Sequence, residues 1–288
     1  MLWGIDTALV LVTYMRLSAD QLYHVSNDGI VGGLSRAVVL LNFPIALVAI
    51  GLVVVAMAVL PRRAWWIAGP AIALSAVVAW PGVVGQADLD VKPVNAVPAA
   101  GVVLALGLTV AATRRVGAGF ASRQPGDPVR LVVAVGTLVI SLPWLAAELG
   151  VFLRGGVFLT EPLYREKSGE VLPAVHLGHH HGLDGALLLL SALLLSRMRP
   201  PKYGVAYTVL VGSMAAYGAI NCVQDTWHEQ LVKRGWLGWD IPSALVPRAH
   251  WIWLVTIGLA GVATLVLLRE RGGYERPSSG SNRILSDT

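Results

Sequence analysis

Charged residues are scarce in this chain. Only 14% of its 288 residues are Asp, Glu, Lys or Arg, whereas 55% are hydrophobic. A soluble domain needs more polar surface to cover its core, so the composition excludes an ordinary soluble protein and predicts an integral membrane protein. The net charge of +5 is spread over short connections between apolar stretches, which gives no indication of nucleic-acid binding.

Cysteine and strand-like alternation are also nearly absent. Cys222 is the single cysteine, so an intrachain disulfide is impossible and the redox compartment cannot be inferred. A membrane β-barrel needs alternating segments of about ten residues, but the run from Ala186 to Leu195 is apolar on every side. No signal-peptide pattern opens the chain, so the first helix is expected to remain. The sequence therefore predicts an all-α, polytopic transmembrane helical bundle.

Eight apolar stretches predict eight spanning helices of about 20 residues or more. They cover residues 3–22, 33–60, 64–81, 97–113, 129–153, 174–197, 203–224 and 247–268. The first contains Asp6, Arg16 and Asp20, which should face the bundle interior if it spans; as an interfacial helix it would leave seven spans. Residues 1–269 are thus the transmembrane domain, and residues 270–288 are predicted to be a disordered cytosolic tail.

Basic residues in alternate connections predict the orientation of the bundle. They fall on one side of the membrane: Arg62, Arg63, Arg114, Arg115, Arg123, Arg197, Arg199, Lys202, Arg269 and Arg271. The positive-inside rule makes this side cytoplasmic, together with both chain termini. We therefore expect a multi-pass protein of the cell membrane.

A run of histidines is the densest chemical signal. The stretch His176-Leu-Gly-His179-His180-His181-Gly-Leu-Asp184 lies at the predicted outer end of the sixth segment. On a helix, His176, His180 and Asp184 share one stripe and His179 lies beside it. Neutral imidazoles at this spacing can bind zinc, copper or iron, with a carboxylate as a ligand or an orienting group. Structural or proton-handling histidines and a solvated loop are the alternatives.

More imidazole and carboxylate groups are predicted at the same outer face. Asp225, His228 and Glu229 share a helical face at the end of the seventh segment, Glu148 ends the fifth segment and His250 begins the eighth. Four helices can therefore bring these groups together. Burial of such groups in a membrane is costly unless they pair, bind metal or line water.

Plainer roles are open for two of these residues. His250 precedes Trp251 and Trp253, and an interfacial aromatic belt explains it better than a role as a ligand. Glu148 is explained equally by a salt bridge to Arg154 or Arg248.

Known motifs account for little of this pattern. His176-x-x-His179-His180 resembles one histidine box of the integral-membrane desaturases and hydroxylases, whose di-iron site needs several boxes, and the other boxes are missing. His228-Glu229 begins like a zinc-protease helix, but Val232 stands where the second histidine ligand is required. No phosphate-binding loop or serine nucleophile elbow is found.

These residues predict a membrane-embedded metalloenzyme that acts at its outer face on a lipid or another apolar substrate. His176, His180 and His228 are the first candidate ligands, completed by His179, Asp184, Asp225 or His250. Glu229 or Glu148 is the candidate acid–base group. Zinc implies hydrolysis, whereas iron or copper implies oxidation; haem ranks last because it does not require so many carboxylates.

Two other function classes remain open from the sequence. One is a transporter or channel component for metal ions or protons, and the other is a non-catalytic subunit of a membrane complex. The oligomeric state cannot be inferred.

Overall fold

The protein is a helical bundle with one small hairpin. The computed structural model describes residues 2–85, 88–117, 122–177, 180–198, 200, 203–244 and 249–274, and 69% of the chain is helical. The α-helices of this part are α1 (Leu2–Arg16), α2 (Gly29–Asn42), α3 (Ile45–Ala56), α4 (Trp65–Ala76), α5 (Ala96–Val116), α6 (Asp127–Glu148), α7 (Ala174–Leu177), α8 (His180–Leu195), α9 (Gly204–Asp225) and α10 (Trp251–Tyr274). A π-helix, Thr226–Val232, continues α9, and β1 (Leu163–Arg165) pairs antiparallel with β2 (Val171–Pro173).

Several helices are long and apolar enough to cross a membrane. Among the described residues there are four such segments: Pro93–Val116, Asp127–Glu148, Gly204–Val232 and Trp251–Glu270. The pair α2 and α3, bent by 46°, makes a fifth if it is one span. The all-α membrane bundle is therefore supported, with four or five candidate spans. The predicted number of eight is not confirmed, because α1, α4 and α8 are shorter than a full crossing requires.

The bend between α2 and α3 follows from the sequence. Pro44 has no N–H to continue the hydrogen bonding of α2, which ends at Asn42. The buried Asn42 amide donates to the carbonyl oxygen of Asn95 at 2.9 Å. Asn95 in turn donates to the side-chain oxygen of Asn42 at 2.7 Å and to the carbonyl oxygen of Val83. These bonds fasten the bend to the start of α5.

Glycines let α8 and α9 approach each other closely. A Cβ built on Gly218 would lie 2.7 Å from the carbonyl oxygen of Gly185, and a Cβ on Gly185 would lie 2.9 Å from that of Gly218. A Cβ built on Gly182 would likewise collide with the Trp144 ring and the carboxylate of Asp225. This packing holds the polar groups of α8 next to those of α9.

The two ends of the bundle differ in polarity. We call the end where α6 and α9 finish and α8 begins the polar end, and the opposite end, where α8 and α10 finish, the basic end. Near the basic end the buried core consists of apolar groups such as Leu188, Leu195 and Val211. Buried charges are concentrated in the other half, as the prediction of a one-sided site requires.

The first helix follows its prediction in part. Asp6 is buried inside the bundle, but Arg16 and Asp20 are exposed because α1 ends at Arg16. The Arg16 guanidinium donates to the carbonyl oxygen of Gly150 at 2.6 Å and so ties α1 to the end of α6. At the other terminus α10 continues to Tyr274, so the predicted tail begins with helix; residues 275–288 lie outside the described part.

Candidate functional site

An imidazole, a carboxylate and an ammonium group meet at the polar end. His176 Nε2 of α7 lies 3.8 Å from Glu229 Oε2 of the π-helix. Lys233, one turn further, places its Nζ 2.7 Å from the same carboxylate oxygen and in contact with His176 Nε2. Imidazole and carboxylate therefore converge on one cationic group.

The π-helix decides which side chains reach this cluster. Its turns contain more residues than α-helical turns, so residues three apart point in more divergent directions. Asp225 and Glu229 are both buried, whereas the Nδ1 atom of His228 lies 2.7 Å from the exposed Asp240. The predicted shared face of these three residues therefore holds only for the two carboxylates. His228 Nε2 is buried and has no hydrogen-bond partner among the described residues.

The surroundings of His176 favour a neutral ring. Its imidazole packs edge-on against Tyr23, with ring centroids 4.3 Å apart. Burial, followed by the nearby Lys233 charge, lowers the pKa of His176 to about 3. Burial, with the negative charges of Glu229 and Asp225, raises the pKa of Tyr23 to about 12. A neutral imidazole is the form that can bind a metal ion.

A second polar cluster lies deeper in the bundle. Arg36 of α2 forms an ion pair of 3.1 Å with Glu148 of α6, and both side chains are 1% exposed. The guanidinium carbon lies 5.8 Å from the ring centroid of Tyr14. Asp184 and Asp6 are buried close enough to interact electrostatically with both members of the pair. Within the described part of the chain, Arg36 is the cation that interacts with these three carboxylates.

The deeper cluster contains unused hydrogen-bonding atoms. Five buried atoms have no hydrogen-bond partner in the described part: Asp6 Oδ2, Arg36 Nε, Trp144 Nε1, Glu148 Oε2 and Asp184 Oδ1. One arginine cannot neutralise three buried carboxylates, and an unpaired buried charge is costly. The cluster therefore needs protons or another cation to become neutral.

The structure corrects one predicted partner and separates several predicted ligands. Glu148 pairs with Arg36 and not with Arg154, which is exposed; Arg248 lies outside the described residues. Asp184 belongs to the deeper cluster, and His250 is exposed at the start of α10. His179 lies outside the described part. The backbone of His180 begins α8, but its side chain is not described.

Sequence reasoning missed Arg36, Tyr14 and Lys233. Arg36 carried a usable signal, because an arginine inside the apolar stretch 33–60 needs a buried partner. Tyr14 and Lys233 carried none: a tyrosine in an apolar helix is common, and Lys233 looks like an ordinary loop residue.

Metal binding is not demonstrated by this geometry. No group of three or more His, Cys, Asp or Glu residues within the described ranges is arranged to hold a metal ion. No protein-family model, curated protein or solved structure matches the chain. Any function must therefore be argued from the two clusters themselves.

Proposed function

We propose that the protein is a membrane-embedded, metal-dependent enzyme that acts on a lipid or another apolar substrate. The observation that carries this proposal is the 3.8 Å approach of His176 to Glu229, with the Lys233 ammonium in contact with both. With the Lys233 ammonium moved aside, the His176 imidazole would suit a divalent transition metal as a ligand, and the Glu229 carboxylate beside it would suit acid–base catalysis. Zinc or iron fits this donor set best, and copper follows.

Each residue has a distinct role in this proposal. His176 and His180 are the ligands, and Asp225, buried one turn before Glu229, completes or orients the set. Glu229, anchored by Lys233 at 2.7 Å, is the acid–base group. Glu148 has a structural role, because its ion pair with Arg36 leaves it buried in the deeper cluster. A zinc ion would support hydrolysis, and iron or copper would support oxidation.

The proposal includes a membrane arrangement. Eight spans are formed by α1, by α2 with α3, and by α4, α5, α6, α8, α9 and α10. The polar end faces the outside of the cell membrane, and the basic end and both termini face the cytoplasm, as the distribution of arginines favours. Labelling of single cysteines introduced at Glu166 and Arg234 in a Cys222→Ser background tests this: only an impermeant reagent added outside should react. Labelling from the cytoplasmic side would invert the topology.

Elemental analysis tests the metal site. Protein purified without a chelator or a histidine tag should contain about one metal ion per chain, and His176→Ala should lose it. His250→Ala is the matched control, because this histidine is exposed at the start of α10; it should retain the metal. Lys233→Met should also retain it. Metal-free folded wild type, or full occupancy in His176→Ala, would reject the site.

Proton or metal-ion transport is a second candidate, favoured by the deeper cluster. Its buried carboxylates extend from Glu148 and Asp184 to Asp6, ten residues deeper along α1 than Arg16. Beyond them, the apolar core around Leu188 and Leu195 favours a site open to one side only. Uptake of protons or metal ions into proteoliposomes, abolished by Asp6→Asn, would support transport over catalysis.

A further inference from the structure

A cavity lies outside the membrane spans, beside the hairpin. Its volume is about 380 Å³, and it is bounded by the loop before β1, by β1 itself and by the turn after the π-helix. Arg234 and Trp236 form one wall, and Tyr164 and Arg165 form another, with Glu161 also in the lining. None of the candidate metal ligands whose side chains the structure describes lines this cavity.

Arg234 has hydrogen-bonding capacity that the protein does not use. Its Nη1 donates to the carbonyl oxygen of Gly156 at 2.8 Å, and the guanidinium carbon lies 5.7 Å from the centroid of the Trp236 ring. Nε and Nη2 are shielded from solvent and have no partner among the described residues. Burial lowers the pKa of Arg234. A guanidinium in this condition is suited to an oxyanion that accepts two parallel hydrogen bonds.

The charged side chains that line the cavity are mainly positive. Arg165 and Arg234 outnumber Glu161 in the lining. Lys167 does not line the cavity, and Glu166 beside it in the sequence carries the opposite charge. The Lys167 side chain packs on Gly235, where a Cβ would lie 2.6 Å from Lys167 Cδ. Gly235 adopts a φ of +74°, a conformation that glycine accepts readily.

Exposed apolar side chains surround the same region. Val157 and Leu163 flank the cavity in sequence, and Trp236 and Trp239 are 58% and 60% exposed. Tryptophans in such positions are typical of the membrane–water interface, where the phosphate groups of lipids lie. The positive lining, the unpartnered donors of Arg234 and the tryptophans nearby therefore all favour a phosphate group as the ligand.

We propose that this cavity binds a phosphate group, presented either by a lipid headgroup or by free phosphate, through Arg234 and Arg165. This inference goes beyond the proposed metal chemistry and does not depend on it. It adds a recognition site for an anion outside the spans, with Trp236 holding the guanidinium in place by cation–π stacking.

Calorimetric titration of the full-length protein in a non-ionic detergent tests the proposal. The probes are inorganic phosphate and a short-chain phosphatidic acid, at constant ionic strength and with a chelator present, so that failure of the metal site leaves the result unaffected. Arg234→Gln should weaken binding by about tenfold or more, since it removes charge-assisted hydrogen bonds. Arg234→Lys should recover only part of this loss, because lysine lacks the planar fork. Arg154→Gln is the control, an exposed arginine of the same loop that does not line the cavity.

The outcomes separate the two ligand sources. Tighter binding of phosphatidic acid assigns the cavity to a lipid headgroup, and equal binding of both probes assigns it to free phosphate. Arg165→Gln, at an exposed position, provides a second test if Arg234→Gln fails to fold, and should also weaken binding. The proposal is overturned if wild type binds neither probe saturably, or if folded Arg234→Gln or Arg165→Gln binds as tightly as wild type.

Discussion

Asp127 at the basic end and Glu148 at the polar end terminate the same helix, α6, but their surroundings differ. The side chain of Asp127 is 20% exposed and interacts with Arg197 at 3.1 Å, with Arg130 at 3.4 Å and with the backbone N–H of Gln124. Glu148 is fully buried and, among the described residues, has one ion-pair partner, Arg36, which also interacts with Asp184 and Asp6. The basic end is thus a partly exposed network of ion pairs, although Gln124 Oε1 and Arg197 Nε lack a hydrogen-bond partner among the described residues. The polar end instead keeps several carboxylates buried around one arginine.

Arg36→Gln should cause the largest loss of stability, because it leaves several buried carboxylates without their cation. We expect the free energy of unfolding to fall by about 3–5 kcal/mol, as when one partner of a buried ion pair is removed. Glu148→Gln should cost less, because Arg36 keeps Asp6 and Asp184 nearby. Denaturation in detergent monitored by circular dichroism provides the comparison. Equal stability of Arg36→Gln and wild type would show that the deeper cluster is not held by Arg36.

Gly218→Ala should have the next largest effect, because it separates α8 from α9 where the polar groups meet. The new methyl group collides with backbone atoms of α8, and we expect a loss of about 1–3 kcal/mol. Gly258→Ala in α10 is the control: nothing lies within 4 Å of its Cβ position, so this variant should be as stable as wild type. Thermal unfolding of both variants measures the difference. Equal melting temperatures would contradict the close approach.

Asp127→Asn tests the opposite end. Its ion pairs are partly exposed, so we expect a loss of about 1 kcal/mol or less that shrinks with added salt. The loss in Arg36→Gln should change little with salt, since that pair is buried. Unfolding at low and high ionic strength compares the two variants. If the stability losses of both variants depended equally on salt, the contrast between an exposed ion-pair network at the basic end and a buried one at the polar end would be wrong.

His228→Ala should have the smallest effect on stability. Its partner Asp240 is largely exposed, so we expect a loss below about 1 kcal/mol. Because the π-helix turns His228 away from Glu229, the variant should retain its metal, in contrast to His176→Ala. Elemental analysis beside a melting curve checks both statements. Loss of metal in folded His228→Ala would return this histidine to the ligand set.

The sequence was informative where periodicity and membrane energetics act directly. Helices, an apolar half of the bundle and the grouping of His176 with Glu229 could be predicted, because apolar length is visible in one dimension and both residues fall at the predicted outer ends of their segments. Four-residue spacing was less informative, since Asp184 lies in the deeper cluster and not beside His176. The π-helix was not foreseeable, since no residue in Thr226–Val232 demands it, and it changed the direction of His228. The partner of Glu148 could not be chosen either: Arg36 is 112 positions away, and only the packing of α2 on the bundle selects it over nearer arginines.

The most direct test of the account is an anomalous difference map from crystals of the metal-loaded protein, recorded at the absorption edge of the metal found by elemental analysis. We predict a peak about 2.0–2.1 Å from His176 Nε2, the ordinary metal–imidazole distance, with Lys233 Nζ displaced from the ring. No peak at that position, with Lys233 still in contact with both His176 and Glu229, would contradict a metal-dependent site.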